Sequence, residues 1–243
     1  MAPTITALDC GWLRQQERVL LAGGSRDVIE IPVPSWLVRH PAGTVVFDTG
    51  LHPSLTADSE SLGTMARLFE PIIAVGGTVG PRLIEHDVDP TSALTVVLSH
   101  CHFDHAGGLC ELPNARVLVQ VAEWNAALDG LDAGYAPDTY DLGHDVVTID
   151  GTHDIFGDGA VVCLPTPGHT CGHQSLRVRT ADGPVILAAD ACYFSSTLVD
   201  DVLPPFSFDF DQQRASLGLL RREQAAGTRI IPGHDGAVFR QWL

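Results

Sequence analysis

His100, Cys101, His102, Phe103, Asp104 and His105 place four metal-ligating side chains within six residues. Imidazole binds a cation through a neutral ring nitrogen and carboxylate adds oxygen and negative charge, a mixture that suits a borderline ion such as zinc. The spacing restricts the backbone. On a helix successive side chains rotate by about 100°, so His100 and His102 would point about 200° apart and could not share one ion. At an extended strand end, residues two apart face the same side. The apolar, β-branched run 93–98 reads as a buried strand, and Ala106-Gly107-Gly108 reads as a turn. The ligands are therefore expected where a strand opens into a loop. A lone histidine is ordinarily a surface or hydrogen-bonded residue, and the chain has 11 of them. The spacing is what sets this cluster apart.

One cluster does not complete a metal site, and three further candidates occupy similar settings. His169 lies in Thr166-Pro167-Gly168-His169-Thr170 after the apolar run 161–164, Asp190 ends the run 185–189, and His234 follows Arg229-Ile230-Ile231-Pro232-Gly233. Each follows a short apolar segment, as expected of strands that deliver side chains into a common cleft. Five histidines and two aspartates suffice for two ions.

An HxHxDH run followed by separate His, Asp and His residues resembles the metallo-β-lactamase superfamily, and the match spans nearly the whole chain. Within it the chain is most similar to the small N-acyl-homoserine lactonases, through Ser99-His100-Cys101-His102-Phe103-Asp104-His105-Ala106-Gly107-Gly108, Thr166-Pro167-Gly168-His169 and Gly172-His173-Gln174-Ser175-Leu176. Tyr193, three residues beyond Asp190, belongs to the same likeness. The resemblance implies an α/β fold, an αββα sandwich, as one domain over residues 1–243. It also implies that His100, His102 and His169 hold one divalent ion, that Asp104, His105 and His234 hold the other, and that Asp190 bridges them. Zinc is expected, with iron, manganese or cobalt as alternatives. The implied activity opens the lactone ring of N-acyl-homoserine lactones. Two ions about 3.5–4 Å apart share a hydroxide that attacks the ring carbonyl. In that scheme Tyr193 donates to the oxyanion and Asp104 relays the proton to the leaving oxygen.

Composition bounds this reading. With 243 residues, 45% of them hydrophobic, the chain can bury a substantial core. Its formal charge of −16 repels phosphodiester polymers and argues against nucleic acid as a partner. Some tRNA-processing nucleases share the ligand pattern, but no basic arm or aromatic-basic stripe accompanies it here. The N-terminus lacks a basic region followed by an apolar core, and no run approaches about 18 apolar residues. A soluble cytoplasmic protein acting on a small lactone, with no membrane partner, is expected; a homodimer is left open. Cysteines 10, 101, 110, 163, 171 and 192 form no CxxC pair or disulfide framework and read as small buried side chains. Cys101 should face away from its histidine neighbours, whereas Cys192 could approach the cleft.

The elements that must position these residues are legible in outline. Runs 35–40 and 44–48 read as strands joined by Pro41-Ala42-Gly43, which places Asp48 behind the proposed ligands. Run 116–121 reads as a strand leading into a helix over 122–128, and 173–180 and 184–189 flank the hairpin signal Ala181-Asp182-Gly183. A helix is expected over 211–226, with Asp211 as N-cap and Gly227 as the stop. Residues 51–92 are the least legible: a helix is expected within 61–73, and 75–81 reads as a mobile loop. No pocket residues can be carried over from the family there, and Phe69 reads as core rather than pocket. Pro204-Pro205-Phe206-Ser207-Phe208 is similar in character to a Pro-Phe segment near the family's acyl site. His40, His52, His86, His144, His153 and His173 are given no catalytic role, although His52 could approach the cleft.

Other readings separate on particular features. Glutathione thioesterases usually carry a C-terminal helical domain, for which the chain ends too soon after His234. Zinc β-lactamases use other residues at the positions of His105 and Asp190. Diiron oxygen reductases typically place a glutamate at the position of His102 and carry a flavin domain. A metal-stabilised binding protein and a hydrolase of another small lactone, such as a pyridoxine-derived one, share the ligand set.

Overall fold

The computed structural model describes residues 1–58, 61 and 64–243, of which 64–66 are described by backbone alone. The chain opens with two 13-residue strands, β1 (Thr4–Gln16) and β2 (Val28–His40), separated by the single-turn helix α1 (Glu17–Leu20). Then come β3 (Gly43–Phe47), α2 (Thr64–Phe69), β4 (Pro71–Ile72), α3 (Val79–Glu85), β5 (Thr95–Val97), β6 (Arg116–Gln120), α4 (Val121–Leu128) and β7 (Asp145–Ile149). These strands form one sheet in the order β4-β1-β2-β3-β5-β6-β7. The second half supplies β8 (His153–Asp154), β9 (Val161–Pro165), β10 (Gln174–Thr180), β11 (Gly183–Ala189), α5 (Ser195–Asp200), α6 (Phe210–Ala225), β12 (Arg229–Pro232) and α7 (Gly236–Phe239). Its sheet runs β12-β11-β10-β9-β8.

Side chains on a strand alternate between faces, and here both faces of both sheets are covered. Val45, Phe47, Val97 and Leu118 of the first sheet meet Val161, Leu176, Val185 and Leu187 of the second in the central core. Their neighbours Val46, Val96, Val117 and Val119 turn outward against Val79 and Leu83 of α3 and Ala127 of α4. In the second sheet Ile186 and Ala188 turn outward against Leu217 and Leu220 of α6. The result is a helix-sheet-sheet-helix sandwich. Double burial explains why runs such as 185–189 are continuously apolar rather than alternating.

Strand direction places the site. β3 and β5 pair in parallel, as do β11 and β12, and β9 is parallel to β11 because both are antiparallel to β10. The C-terminal ends of these strands lead into Asp48, His100, His169, Asp190 and His234.

Two expectations change and a third holds. Helix α6 begins one residue early and is capped by Asp209, whose carboxylate accepts the Asp211 and Gln212 N–H groups; Asp211 lies inside the first turn. The segment expected to be a mobile loop ends in α3, whose first residue, Val79, is fully buried in the outer core. The helix expected within 61–73 is α2, and residues 62 and 63 of that range lie outside the described residues.

Candidate metal centre

The structure brings all seven sequence-derived candidates together at one edge of the sandwich. His100, His102, Asp104, His105, His169, Asp190 and His234 are all buried, none more than 9% exposed. Asp190 lies at the middle. Its Oδ2 is 3.3 Å from His169 Nε2 and 3.9 Å from His100 Nε2, whereas Oδ1 is 3.2 Å from His105 Nε2 and 3.1 Å from His234 Nε2. The two oxygens of one carboxylate thus face two different groups. His102 Nδ1 lies 3.1 Å from His169 Nε2, and Asp104 Oδ2 lies 3.6 Å from His105 Nε2 and 3.9 Å from His234 Nε2. His100, His102 and His169 form one set whose ligand atoms lie within 4.8 Å of one another, and Asp104, His105 and His234 form another.

Outer partners fix how these rings point. His105 Nδ1 donates to Asp48 Oδ2 at 2.9 Å, and His234 Nδ1 donates to the Pro32 carbonyl at 2.8 Å, which leaves each Nε2 lone pair facing the centre. Asp48 also accepts the Ser99 N–H and hydroxyl, and that hydroxyl contacts His100 Nδ1 at 2.9 Å. The Asp190 main chain is held from both sides: its N–H donates to His173 Nε2 and its carbonyl accepts from Gln213 Nε2, each at 3.1 Å. Burial pushes the His173 imidazole down to about 3, so it stays neutral and can accept that bond. Asp48 and Ala189 both adopt left-handed backbone, with φ of 58° and 45°. For residues other than glycine this costs about 1–3 kcal/mol each, so the sheets impose it.

The donor set fits a divalent metal. His100 Nε2, His102 Nε2, His105 Nε2 and Asp190 Oδ1 are buried polar atoms without a hydrogen-bond partner, which is costly unless a cation satisfies them. Burial holds His100 and His169 well below the ordinary histidine pKa, leaving them as neutral donors. Burial also opposes charge on His105 and His234, but the carboxylates of Asp190 and Asp104 outweigh it and raise both. The carboxylates that draw a proton there would equally draw a metal ion.

A pocket opens over this floor. It is lined by Asp104, Asp190, Tyr193 and His234 and by the apolar Leu13, Leu20, Ile31, Phe69, Phe103 and Phe206, with Asp132 among the remaining lining residues; Tyr193 packs in one cluster with Leu13, Leu20, Ile31, Phe69 and Phe103. The Tyr193 ring packs against His169 and His234, with centroids 5.6 and 5.0 Å away. Phe69 is both buried and pocket-lining, so core and pocket were not alternatives for it. Cys192 does not line the pocket: it packs in the outer core beside α6, its thiol faces the Phe194 carbonyl, and burial pushes it up to about 12. His52 is not among the lining residues either, its ring being engaged with Ser54. Cys101 packs in the outer core on the α3 and α4 side, opposite its histidine neighbours. Gln213 and Glu123 contribute to the surroundings of the site without a local sequence signal, whereas His173, given no catalytic role above, lies in the Gly172-His173-Gln174-Ser175-Leu176 motif and holds the Asp190 N–H. All six cysteines are free.

The metallo-β-lactamase superfamily model matches residues 28–234. The chain belongs to this superfamily. Among its relatives, the N-acyl homoserine lactonase AttM of Azorhizobium caulinodans is 31% identical over 220 residues, covering 85% of this chain and 82% of that protein. AiiA of Bacillus thuringiensis subsp. kurstaki, also an N-acyl homoserine lactonase, is 30% identical over 224 residues, covering 86% of this chain and 83% of its own. A solved N-acyl homoserine lactone hydrolase, with the product N-hexanoyl-L-homoserine bound at its catalytic metal center, superposes with a TM-score of 0.89. It is 25% identical, and the match covers 99% of this chain and 96% of that one. The superfamily fold is therefore present across the two sheets described above.

Proposed function

We propose that this protein is a metal-dependent hydrolase that opens the lactone ring of N-acyl-homoserine lactones. In this reading His100, His102 and His169 would hold one divalent ion, zinc first, and Asp104, His105 and His234 would hold the other, with an Asp190 oxygen available to each. The observation that carries it is the division of the Asp190 oxygens between two ligand sets at the floor of a pocket with an apolar wall. An acyl lactone presents an ester to the floor and an aliphatic chain to the wall. The names of the relatives supply the same substrate class.

When bound, such ions bring the pKa of a water toward ~7 and polarise an ester carbonyl. The chain's own residues supply the rest. Burial, reinforced by Asp190 and Asp104, holds the Tyr193 phenol well above its ordinary pKa, so at neutral pH it remains a hydrogen-bond donor. Its place beside His169 and His234 suits donation to the carbonyl oxygen as that oxygen gains charge. Asp104, on the pocket floor, is suited to carry a proton to the departing ring oxygen. The side chains of Leu13, Leu20, Ile31, Phe69 and Phe206 would take the acyl chain. Among the described residues no helix is long and apolar enough to cross a membrane. We place the protein in the cytoplasm as one domain over residues 1–243, acting on a small molecule rather than nucleic acid or membrane.

Product analysis tests the reaction. N-hexanoyl-homoserine lactone should yield open N-hexanoyl-homoserine and one acid equivalent near neutral pH. Release of hexanoate with intact homoserine lactone would show amide cleavage and overturn the assignment. A pyridoxine-derived lactone hydrolysed faster than every acyl-homoserine lactone would reassign the substrate but keep the reaction.

A further inference from the structure

Glu123 lies in the first turn of α4, is fully buried, and is not one of the seven residues around Asp190. A carboxylate has about four acceptor positions, and Glu123 has a donor for each. Oε1 accepts the Cys101 backbone N–H and the Tyr135 hydroxyl, both at 3.0 Å; Oε2 accepts the Thr170 hydroxyl at 2.6 Å and the Gly172 N–H at 3.2 Å. A buried carboxylate is costly unless it is satisfied in this way.

The donors share a pattern. Cys101 lies between His100 and His102, and Thr170 directly follows His169. Tyr135 packs its ring 5.1 Å from that of His102 and forms a β-bridge with it. All three imidazoles of one ligand set therefore hang from backbone that Glu123 ties to α4. Asp104, His105 and His234 have no such tie: His105 is held by Asp48 and His234 by the Pro32 carbonyl. Asp48 reaches His105 directly and His100 through Ser99, so its brace serves both sets. The Glu123 brace serves one. Contact is close, because a Cβ on Gly172 would come within 2.1 Å of the Glu123 backbone nitrogen.

We infer that Glu123 is a positioning residue for one of the two ions: by clamping the 101 and 170–172 backbone segments to α4 it sets the spacing of His100, His102 and His169, and with it the affinity of that ion alone. The inference rests on the two-ion reading above.

Glu123→Gln keeps the size of the side chain but turns one acceptor oxygen into an amide donor facing existing donors. Whichever way the amide lies, the bond from one backbone N–H, Cys101 or Gly172, is then lost, and the hydroxyl on the same side, Tyr135 or Thr170, must turn from donor to acceptor. Zinc content is measured after dialysis against graded dipicolinate. Loss of an outer partner typically costs about 10–100-fold in metal affinity. E123Q should therefore fall from two ions to one at a dipicolinate concentration about 10–100-fold below that which strips the wild type. At that concentration, adding His169→Ala should lower the content no further, whereas adding His234→Ala should empty the protein. Retention of both ions at the wild-type concentration, loss of both in step, or the reverse pattern in the double variants would overturn the inference. A merely structural brace would lower the melting temperature of the metal-free protein and release both ions together. If E123Q does not fold, Thr170→Val removes one donor and leaves the carboxylate; it should show the same one-ion loss with a smaller shift, and an unchanged profile would overturn the inference. A wild type that never holds two ions would instead sink the two-ion reading, and that result comes from the wild-type sample alone.

Discussion

The floor of the pocket and its wall are built differently. The floor comes from strand ends, and several of its groups are held by a second residue: His100 by Ser99, His105 by Asp48, His234 by Pro32, the Asp190 main chain by His173 and Gln213. The wall is assembled from scattered pieces: Leu13 of β1, Leu20 of α1, Ile31 of β2, Phe69 of α2, and Phe206 from the segment before α6. Helices α1 and α2, of four and six residues, are too short to be stable alone and depend on tertiary contacts. Those contacts include the Ala22 N–H to the Leu203 carbonyl and the Gln15 amide to the Leu68 carbonyl. The floor is fixed by redundant bonds and the wall by packing. Changes in the wall should alter which chain is accepted, and changes in the floor should alter whether reaction occurs.

The strongest challenge to this contrast is Asp190→Asn, which removes the charge facing both ligand sets. Metal content should fall below two ions per chain, and activity should drop by more than the roughly 10–100-fold typical of an outer partner; full metal content with full activity would remove Asp190 from the centre. Tyr193→Phe should come next. It keeps the ring packing but loses the donor, so kcat should fall by up to about 10²–10³-fold, with metal content and melting temperature unchanged. Unchanged kcat and kcat/KM would assign Tyr193 to packing alone.

Asp48→Asn tests whether the floor's outer bonds matter. It should weaken metal binding by about 10–100-fold in chelator competition, and wild-type affinity would show that the sheets alone suffice to aim His105. The smallest effect belongs to the wall. Leu20→Ala should leave metal content intact and lower kcat/KM only for substrates whose chain reaches Leu20. At about 0.8 kcal/mol per buried methylene, the loss is about fourfold for each methylene contact removed. An equal loss for short and long chains would mean that Leu20 supports the floor after all.

Much of the floor was legible because metal chemistry forces an unusual local composition: His100 to His105 cannot be explained as a strand or a loop alone. His169, Asp190 and His234 were legible for a related reason, since each closes an apolar run that had to be a strand. Glu123 was not, because its partners Cys101, Thr170 and Gly172 lie 22, 47 and 49 positions away and leave no periodic trace. His173 stands in the Gly172-His173-Gln174-Ser175-Leu176 motif, but its role was not legible because it depends on an Asp190 N–H 17 residues distant. The wall was obscure because α1 and α2 are too short to show a period. The α6 cap was misplaced by two residues because Asp209 and Asp211 are chemically equal; only the backbone distinguishes them, by turning Asp209 extended.

Four of the seven candidate ligands fall within residues 100–105, so they stay near one another even in an unfolded chain. The others join them only when the two sheets have formed. A bound ion stabilises a fold by the difference between its grip on the folded and unfolded chains, not by its grip on the folded chain alone. An unfolded chain that retains a four-ligand foothold forfeits part of that difference. Excess zinc should therefore raise the melting temperature less than the folded-state affinity implies, and zinc present during refolding should compete for the HxHxDH segment before His169, Asp190 and His234 arrive.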